Sequence, residues 1–275
     1  VMAMNVTKAQ NAGTAFSVQV GDYAVYLLSE GQQKGNTGIL IGATPEMIAQ
    51  AIPDGAFPNA VNAFLIRTPE KNILVDTGFG RLLFNHLDSL GLNADKITDI
   101  LLTHLHGDHI GGLLKAGKIL FPNAKIYVSQ LEYDYWIKSN NQQAANVLNA
   151  YKNRLILFSP DELGNIQTEL LPGIFPIATY GHTPGHTSFL VQSKNEKLLV
   201  WGDLSHAMAI QMPYPQVAVT YDVYPEDAVR TREAVLKYVS DNRIPIAGMH
   251  IAYPGIGTVT SASEGGYVFT PATEK

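Results

Sequence analysis

The sequence predicts an α+β fold, with two β-sheets packed face to face and helices outside, in a single domain of two pseudo-equivalent halves. Three observations predict it. Short β-prone runs lie beside helix-spaced segments in both halves of the chain, with a shared rhythm but no literal repeat. The 275 residues, 46% of them hydrophobic, are enough to bury a substantial core. Ligand-type side chains recur at strand ends beside Gly-rich turns, where functional loops sit on a rigid scaffold.

In order, residues 1–15 are small and polar and are expected to form a mobile tail, leaving 16–275 as the folded domain. Runs 16–20 and 23–29 are β-prone and joined at Gly21-Asp22, a hairpin signal. Residues 31–60 carry many Gly, Pro, Asn and Ala with no sustained period. A long loop is expected there, with one short helix from Pro45 to Ala51 after the Thr44-Pro45 start. Strands follow at 61–67 and 73–76, the second leaving through Val75-Asp76-Thr77-Gly78. Leu82, Leu83, Leu87 and Leu90 have helical spacing, closed by Gly91. A strand at 97–103 leads into a His-rich stretch, another lies at 125–128, and a helix at 130–138 carries Tyr133, Tyr135 and Trp136. Residues 139–154 are polar and helical, either a flap over a site or a solvated connector. Later strands are expected at 174–180, 188–192, 197–201 and 245–249, with a helix over 225–240.

Composition excludes several classes. Charged residues are 16%, well below the ~25% usual in globular domains, and the net charge of -5 offers no basic stripe for nucleic acid. Cysteine is absent, so no disulfide framework exists and no thiolate can act as ligand or nucleophile. No apolar run approaches the ~18 residues of a membrane span, and a soluble protein is expected. It would be periplasmic or secreted if a leader before Val1 has been removed, and cytoplasmic otherwise.

The organising stretch is Thr103-His104-Leu105-His106-Gly107-Asp108-His109, with four ligand-type side chains in six positions. His104 and His106 point one way by strand alternation, while Asp108 and His109 come from the turn that follows. Two pairs facing one hollow suit two metals. Gly181-His182-Thr183-Pro184-Gly185-His186, Gly202-Asp203 and His250 bring further ligand-type residues to strand ends. Imidazoles and carboxylates without thiolate suit zinc, and equally manganese, iron or cobalt.

Through THLHGDHIGG, HTPGHT, Gly202-Asp203 and the late His250, the chain resembles the metallo-β-lactamase-fold hydrolases. More narrowly it is similar to the methyl parathion hydrolase branch, at Phe121-Pro122-Asn123-Ala124, the acidic and aromatic run ending at Trp136, GHTPGHT, and Pro254-Gly255-Ile256-Gly257. The likeness runs from about residue 60 to the C-terminus. It implies an αββα four-layer sandwich with a dinuclear centre. On matching positions, His104, His106 and His186 would hold one metal and Asp108, His109 and His250 the other, with Asp203 bridging; Asp108 and Asp203 would also be catalytic. Asp76 resembles a carboxylate that orients a ligand His. His182 is assigned a supporting or packing role behind the ligands. Trp136 matches an aromatic lining the leaving-group pocket, Phe79 is placed in the same hollow, and His206 is a candidate to reach substrate.

Two metals ~3.5–4 Å apart would share a hydroxide as nucleophile, with the pKa of its parent water lowered toward ~7. The expected activity is hydrolysis of neutral esters or lactones, with phosphotriesterase side activity, because the sparse charge gives an anionic substrate no anchor. The alternatives are a glyoxalase II-like thioesterase and a non-catalytic metal-binding domain. Oxygen-reducing relatives are discounted because they place Glu where His106 stands. Cysteine-ligand β-lactamases need a Cys that is absent, and the other dinuclear β-lactamases lack a bridging carboxylate. The expected partner is a small-molecule substrate, with no nucleic acid or membrane, and the branch resemblance leans toward a homodimer.

Overall fold

Alternating apolar residues build both sheets of the computed structural model, which describes residues 15–274. The first sheet has seven strands whose spatial order follows the chain: Ser17–Val20, Tyr23–Asn36, Ala56–Arg67, Asn72–Val75, Asp99–Leu101, Lys125–Ser129 and Leu155–Phe158. Its early strands pair antiparallel, and its last four are joined in parallel. The second sheet has six, again in chain order: Ile174–Ala178, Thr187–Ser193, Glu196–Val200, Ile246–Ala247, Ile256–Ser261 and Tyr267–Pro271. The helices are α1 (Pro45–Ala51), α2 (Leu83–Ser89), α3 (Gly107–Ile110), α4 (Gln130–Ile137), α5 (Gln142–Ala150), α6 (Met208–Gln211) and α7 (Pro225–Asn242).

Period two decides which side chains meet. Along one strand Phe64 and Ile66 face the second sheet, where they join Phe189, Val191, Val200 and Met249. Leu65, between them, faces outward into a core shared with Leu87 of α2, Trp136 of α4 and Val147 of α5. Leu190 and Leu199 likewise face outward, against Val235, Leu236 and Val239 of α7. Helix, sheet, sheet and helix therefore stack in the four layers expected. Each fully buried Leu or Phe in these seams contributes ~1.5–3 kcal/mol.

The long loop expected over 31–60 is corrected. Tyr23–Asn36 and Ala56–Arg67 pair as far as Asn36 opposite Ala56, with a bulge between Ser29 and Gly31. The result is a two-stranded arm projecting from the sheet, with α1 at its tip. Its side chains at 31–34 are all exposed, so the alternation that betrays a strand is missing. The arm is held by its own small core, where Ile52 and Phe57 pack with Ala207, Ile210 and Val217, and by a short ladder of Leu40–Ile41 with Ala218–Val219. The flap reading of 139–154 is also corrected: α5 buries Ala144, Val147 and Leu148 in the outer core. The expected tail lies outside the described residues except for Ala15, which is buried. Among the described residues no helix is long and apolar enough to cross a membrane.

Candidate metal centre

Five strand ends deliver the ligand-type residues to one edge of the sandwich. Asp76 follows Asn72–Val75, and His104, His106, Asp108 and His109 follow Asp99–Leu101 and enter α3. His182 lies in the turn before Thr187–Ser193, Asp203 and His206 follow Glu196–Val200, and His250 follows Ile246–Ala247. Asp203 is the hub. Its Oδ2 lies 3.1 Å from Nε2 of His109 and of His250, 3.2 Å from Nε2 of His182 and of His206, and 3.4 Å from Nε2 of His104. Asp108 lies 3.4 Å from His109 Nε2 and 3.3 Å from His250 Nε2, and His106 Nδ1 is 3.1 Å from His182 Nε2.

Overlapping donor groups emerge: His104, His106, His182 and Asp203 on one side and Asp108, His109 and His250 on the other, with Asp203, His206 and His250, and Asp76, His104 and His109, as further groups between them. Asp203 Oδ2 reaches both sides. Metal–nitrogen and metal–oxygen bonds of ~2.0–2.1 Å in a tetrahedral site put neighbouring donors roughly 3.3 Å apart. The spacings here match. His104 Nε2 and Asp203 Oδ1 are buried without a hydrogen-bond partner, which an ion between the donors would satisfy. The residues present therefore fit two divalent ions.

Hydrogen bonds behind the cluster fix which nitrogen faces inward. Asp76, buried and held at φ 61, takes Thr103 N–H at 2.8 Å on Oδ1 and the Thr103 hydroxyl at 2.7 Å on Oδ2. Having spent its only proton on Asp76, that hydroxyl must accept from His104 Nδ1, 2.9 Å away, which leaves Nε2 as a lone pair. His109 Nδ1 is 2.6 Å from Asp76 Oδ2 and is fixed in the same sense. His250 Nδ1 donates to the Ala60 carbonyl at 2.8 Å, and His182 Nδ1 is 2.7 Å from Asp222 Oδ1. His206 differs: its Nδ1 is buried with no partner. Its position is set instead by Gln211, whose Oε1 accepts the backbone N–H of His206 at 2.6 Å.

Burial pushes Asp203 up, but His109, His250 and His104 outweigh it and hold the carboxyl well below its ordinary range. Burial lowers His250, yet Asp203 and Asp108 lift it to about 10. His182 is raised by Asp203 and Asp222 against burial, and His109 is raised by Asp203, Asp108 and Asp76. Burial and the neighbouring His182 bring His106 down to about 3, and burial brings His206 to about 4 despite Asp203.

Three expectations are corrected. His186 does not join the cluster, and His182 does. The Nε2 of His186 accepts the Asp203 backbone N–H at 2.9 Å, and its Nδ1 faces the Thr179 carbonyl at 3.0 Å, so both nitrogens are occupied. His186 therefore holds the backbone of the hub from behind, while His182 takes the place given to it. Trp136 does not line the hollow: it is 6% exposed, its indole N–H donates to Glu132 at 2.6 Å, and its ring backs His106 edge-on at 5.5 Å. Lys34, on the arm, reaches the rim of the hollow, so a cation is present where none was expected.

The hollow over the cluster is about 740 Å³. Ile39, Val61, Phe79 and Tyr221 form apolar walls, and Asn36, Asn59 and Gln143 add carboxamides. Phe79 and His206 both line this hollow. Asp222, Tyr221, Gln211 and Glu132 were not singled out from the sequence. Only Glu132 had a local signal, the Ser129-x-x-Glu132 pattern of a helix start.

The profile of the metallo-beta-lactamase superfamily matches residues 56–246. The N-acyl homoserine lactonase AiiA of Bacillus thuringiensis subsp. kurstaki is 26% identical over 157 residues, 48% of this chain and 58% of that protein. The uncharacterized protein YobT of Bacillus subtilis is 29% identical over 135 residues, 47% of this chain and 56% of that one. The matches thus span just over half the length of these curated relatives. Among solved structures, AidC, a dizinc quorum-quenching lactonase with a bound product, superposes with a TM-score of 0.86 at 26% identity, covering 97% of this chain and 100% of that one. The hydrolase AbOPH follows with a TM-score of 0.82 at 29% identity, covering 97% and 99%.

Proposed function

The chain belongs to the metallo-β-lactamase superfamily, and on that premise we propose that it is a metal-dependent hydrolase of neutral lactones and esters. His104, His106 and His182 would hold one divalent ion, Asp108, His109 and His250 the other, and Asp203 would serve both. The observation that carries this is the convergence of five imidazole nitrogens on one oxygen of Asp203 at 3.1–3.4 Å. The donor set suits zinc, as in the dizinc neighbour, and also manganese, iron or cobalt.

When bound, such ions supply Lewis acidity, activating water at neutral pH and polarising the oxygen under attack. The protein's own groups do the rest. Asp76, Thr103, Asp222 and the Ala60 carbonyl hold the imidazoles of His109, His104, His182 and His250 each in one orientation. Asp108, with 26% of its side chain exposed, faces the hollow and stays ionised, ready to accept a hydrogen bond from an attacking water or a departing alcohol. Burial lowers His206 to about 4, which favours a neutral ring at neutral pH, with its Nε2 3.2 Å from Asp203 Oδ2 at the floor of the hollow. Phe79, Ile39 and Tyr221 exclude water from an uncharged group, and Asn36 and Asn59 can pair with an amide. The relatives named as N-acyl homoserine lactonases favour a lactone bearing a neutral acyl-amide chain. Phosphotriesters, neutral and of similar bulk, are expected to be weaker substrates. A glutathione or coenzyme A thioester would need several cations, and among the described lining residues Lys34 is the only Lys or Arg.

The test is a panel on metal-replete protein: lactones, aryl esters, phosphotriesters, phosphomonoesters and S-lactoylglutathione. Higher kcat/KM for neutral lactones or aryl esters is expected. A preference for S-lactoylglutathione, or no turnover above that of the chelated protein, would overturn the assignment.

A further inference from the structure

We propose that Glu132 is a positioning residue for one of the two metal positions, tying the loop of His104 and His106 to the turn of His182. Ser129-Gln130-Leu131-Glu132 has the pattern of a capping box, in which the glutamate reaches back to the N-cap backbone. Only half of that box forms. Ser129 Oγ accepts Glu132 N–H at 3.2 Å, as a cap should. The Glu132 carboxylate, 1% exposed, is diverted to other parts of the chain. Its Oε2 accepts Leu105 N–H at 3.0 Å and the Trp136 indole N–H at 2.6 Å, and its Oε1 accepts Gly185 N–H at 2.8 Å.

Each partner belongs to the same side of the centre. Leu105 lies between His104 and His106, Gly185 lies three residues after His182, and the Trp136 ring backs His106. Ser129 Oγ also donates to the Gly185 carbonyl at 2.7 Å, so the start of α4 grips both the N–H and the C=O of that residue. A Cβ on residue 185 would fall 2.2 Å from Glu132 N, which leaves room only for glycine. An ionised carboxylate is costly to bury unless donors surround it, and here two of the three donors come from ligand-bearing loops. The other donor group is supported elsewhere, His109 by Asp76 and His250 by the Ala60 carbonyl. Loss of Glu132 should therefore act on one metal position and spare the other.

This inference rests on the two-metal assignment above but not on the substrate, because metal binding is read without one. Full-length metal-free protein would be titrated with cobalt(II), followed by its visible absorption and by tryptophan fluorescence, with Trp136 reporting the nearby His106 side. A His250→Ala control identifies which binding step belongs to which position. Glu132→Gln is expected to weaken the His104/His106/His182 step by ~10–100-fold, as loss of an outer partner does, and to leave the other step unchanged. Trp136→Phe, which keeps a ring but removes the indole donor, should weaken the same step by less; this variant decides the matter if Glu132→Gln does not fold. Equal weakening of both steps, or an unaltered first step, would overturn the role of Glu132. Wild-type protein that takes up fewer than two ions would instead overturn the two-metal assignment.

Discussion

The exchange of roles between His182 and His186 gives the sharpest experiment on this chain. His182→Ala deletes a donor whose Nε2 stands 3.2 Å from Asp203 Oδ2, so metal content should fall from two ions toward one. The affinity lost should exceed the ~10–100-fold that an outer partner is worth. His186→Ala deletes no donor. It strands the buried Asp203 N–H, now bonded at 2.9 Å, at a cost of ~1–3 kcal/mol. The void left by the ring adds a cost within the ~2–5 kcal/mol range of large-to-small core changes. For a domain of this size the sum corresponds to a fall in Tm on the order of 10 °C. Elemental analysis after metal loading and dialysis, with thermal melts of both variants, reads the two effects separately. Two ions retained by His182→Ala while His186→Ala loses one would refute the geometry.

Trp136→Ala should destabilise the fold by the ~3–5 kcal/mol of a truncated core aromatic and lower Tm accordingly, whereas Phe79→Ala should raise KM for a neutral lactone several-fold with kcat little changed. The opposite split in steady-state kinetics and melts would restore Trp136 to the substrate wall. In the chelated protein His250 sits at about 10, raised by Asp203 and Asp108 against burial. A raised imidazole stabilises the fold below its unfolded value of ~6.5 and loses that contribution as pH climbs through the folded value, so Tm of the chelated protein should fall between about pH 6.5 and 10. The loaded protein, its ligands already deprotonated, should not follow; a flat chelated profile across that window would contradict the charge assignment.

The sandwich was legible because its strands obey period two, as in Phe64, Leu65 and Ile66, and its donors because they cluster where strands end. What was not legible depends on turn geometry and on long-range contacts. In GHTPGH, Gly181 adopts φ 137 and its N–H bonds the Thr183 carbonyl, so strand alternation does not carry through the turn and cannot say which His faces in. Trp136 points to the core because it lies one helical turn after Glu132, whose carboxylate it caps, a bond with no sequence signature beyond the spacing. Asp222 is 40 residues from the His182 it orients, with nothing local to mark it. The arm was hidden by polar side chains on both faces.

That arm separates two kinds of change in this molecule. Asn36, Ile39 and Asn59, which touch whatever enters the hollow, ride on strands and turns anchored by Ile52 and Phe57 against the 207–217 segment. The donors ride on strand ends rooted in the large cores on either side of the first sheet. Change in the arm can therefore reshape what is admitted while the donor cluster stays fixed. The two meet where the arm touches the residues behind the donors: at Val219, which pairs with the arm and donates to Asp222, and at Ala60, whose carbonyl holds His250 one residue from Asn59. At Ala60 the backbone, not the side chain, makes the link.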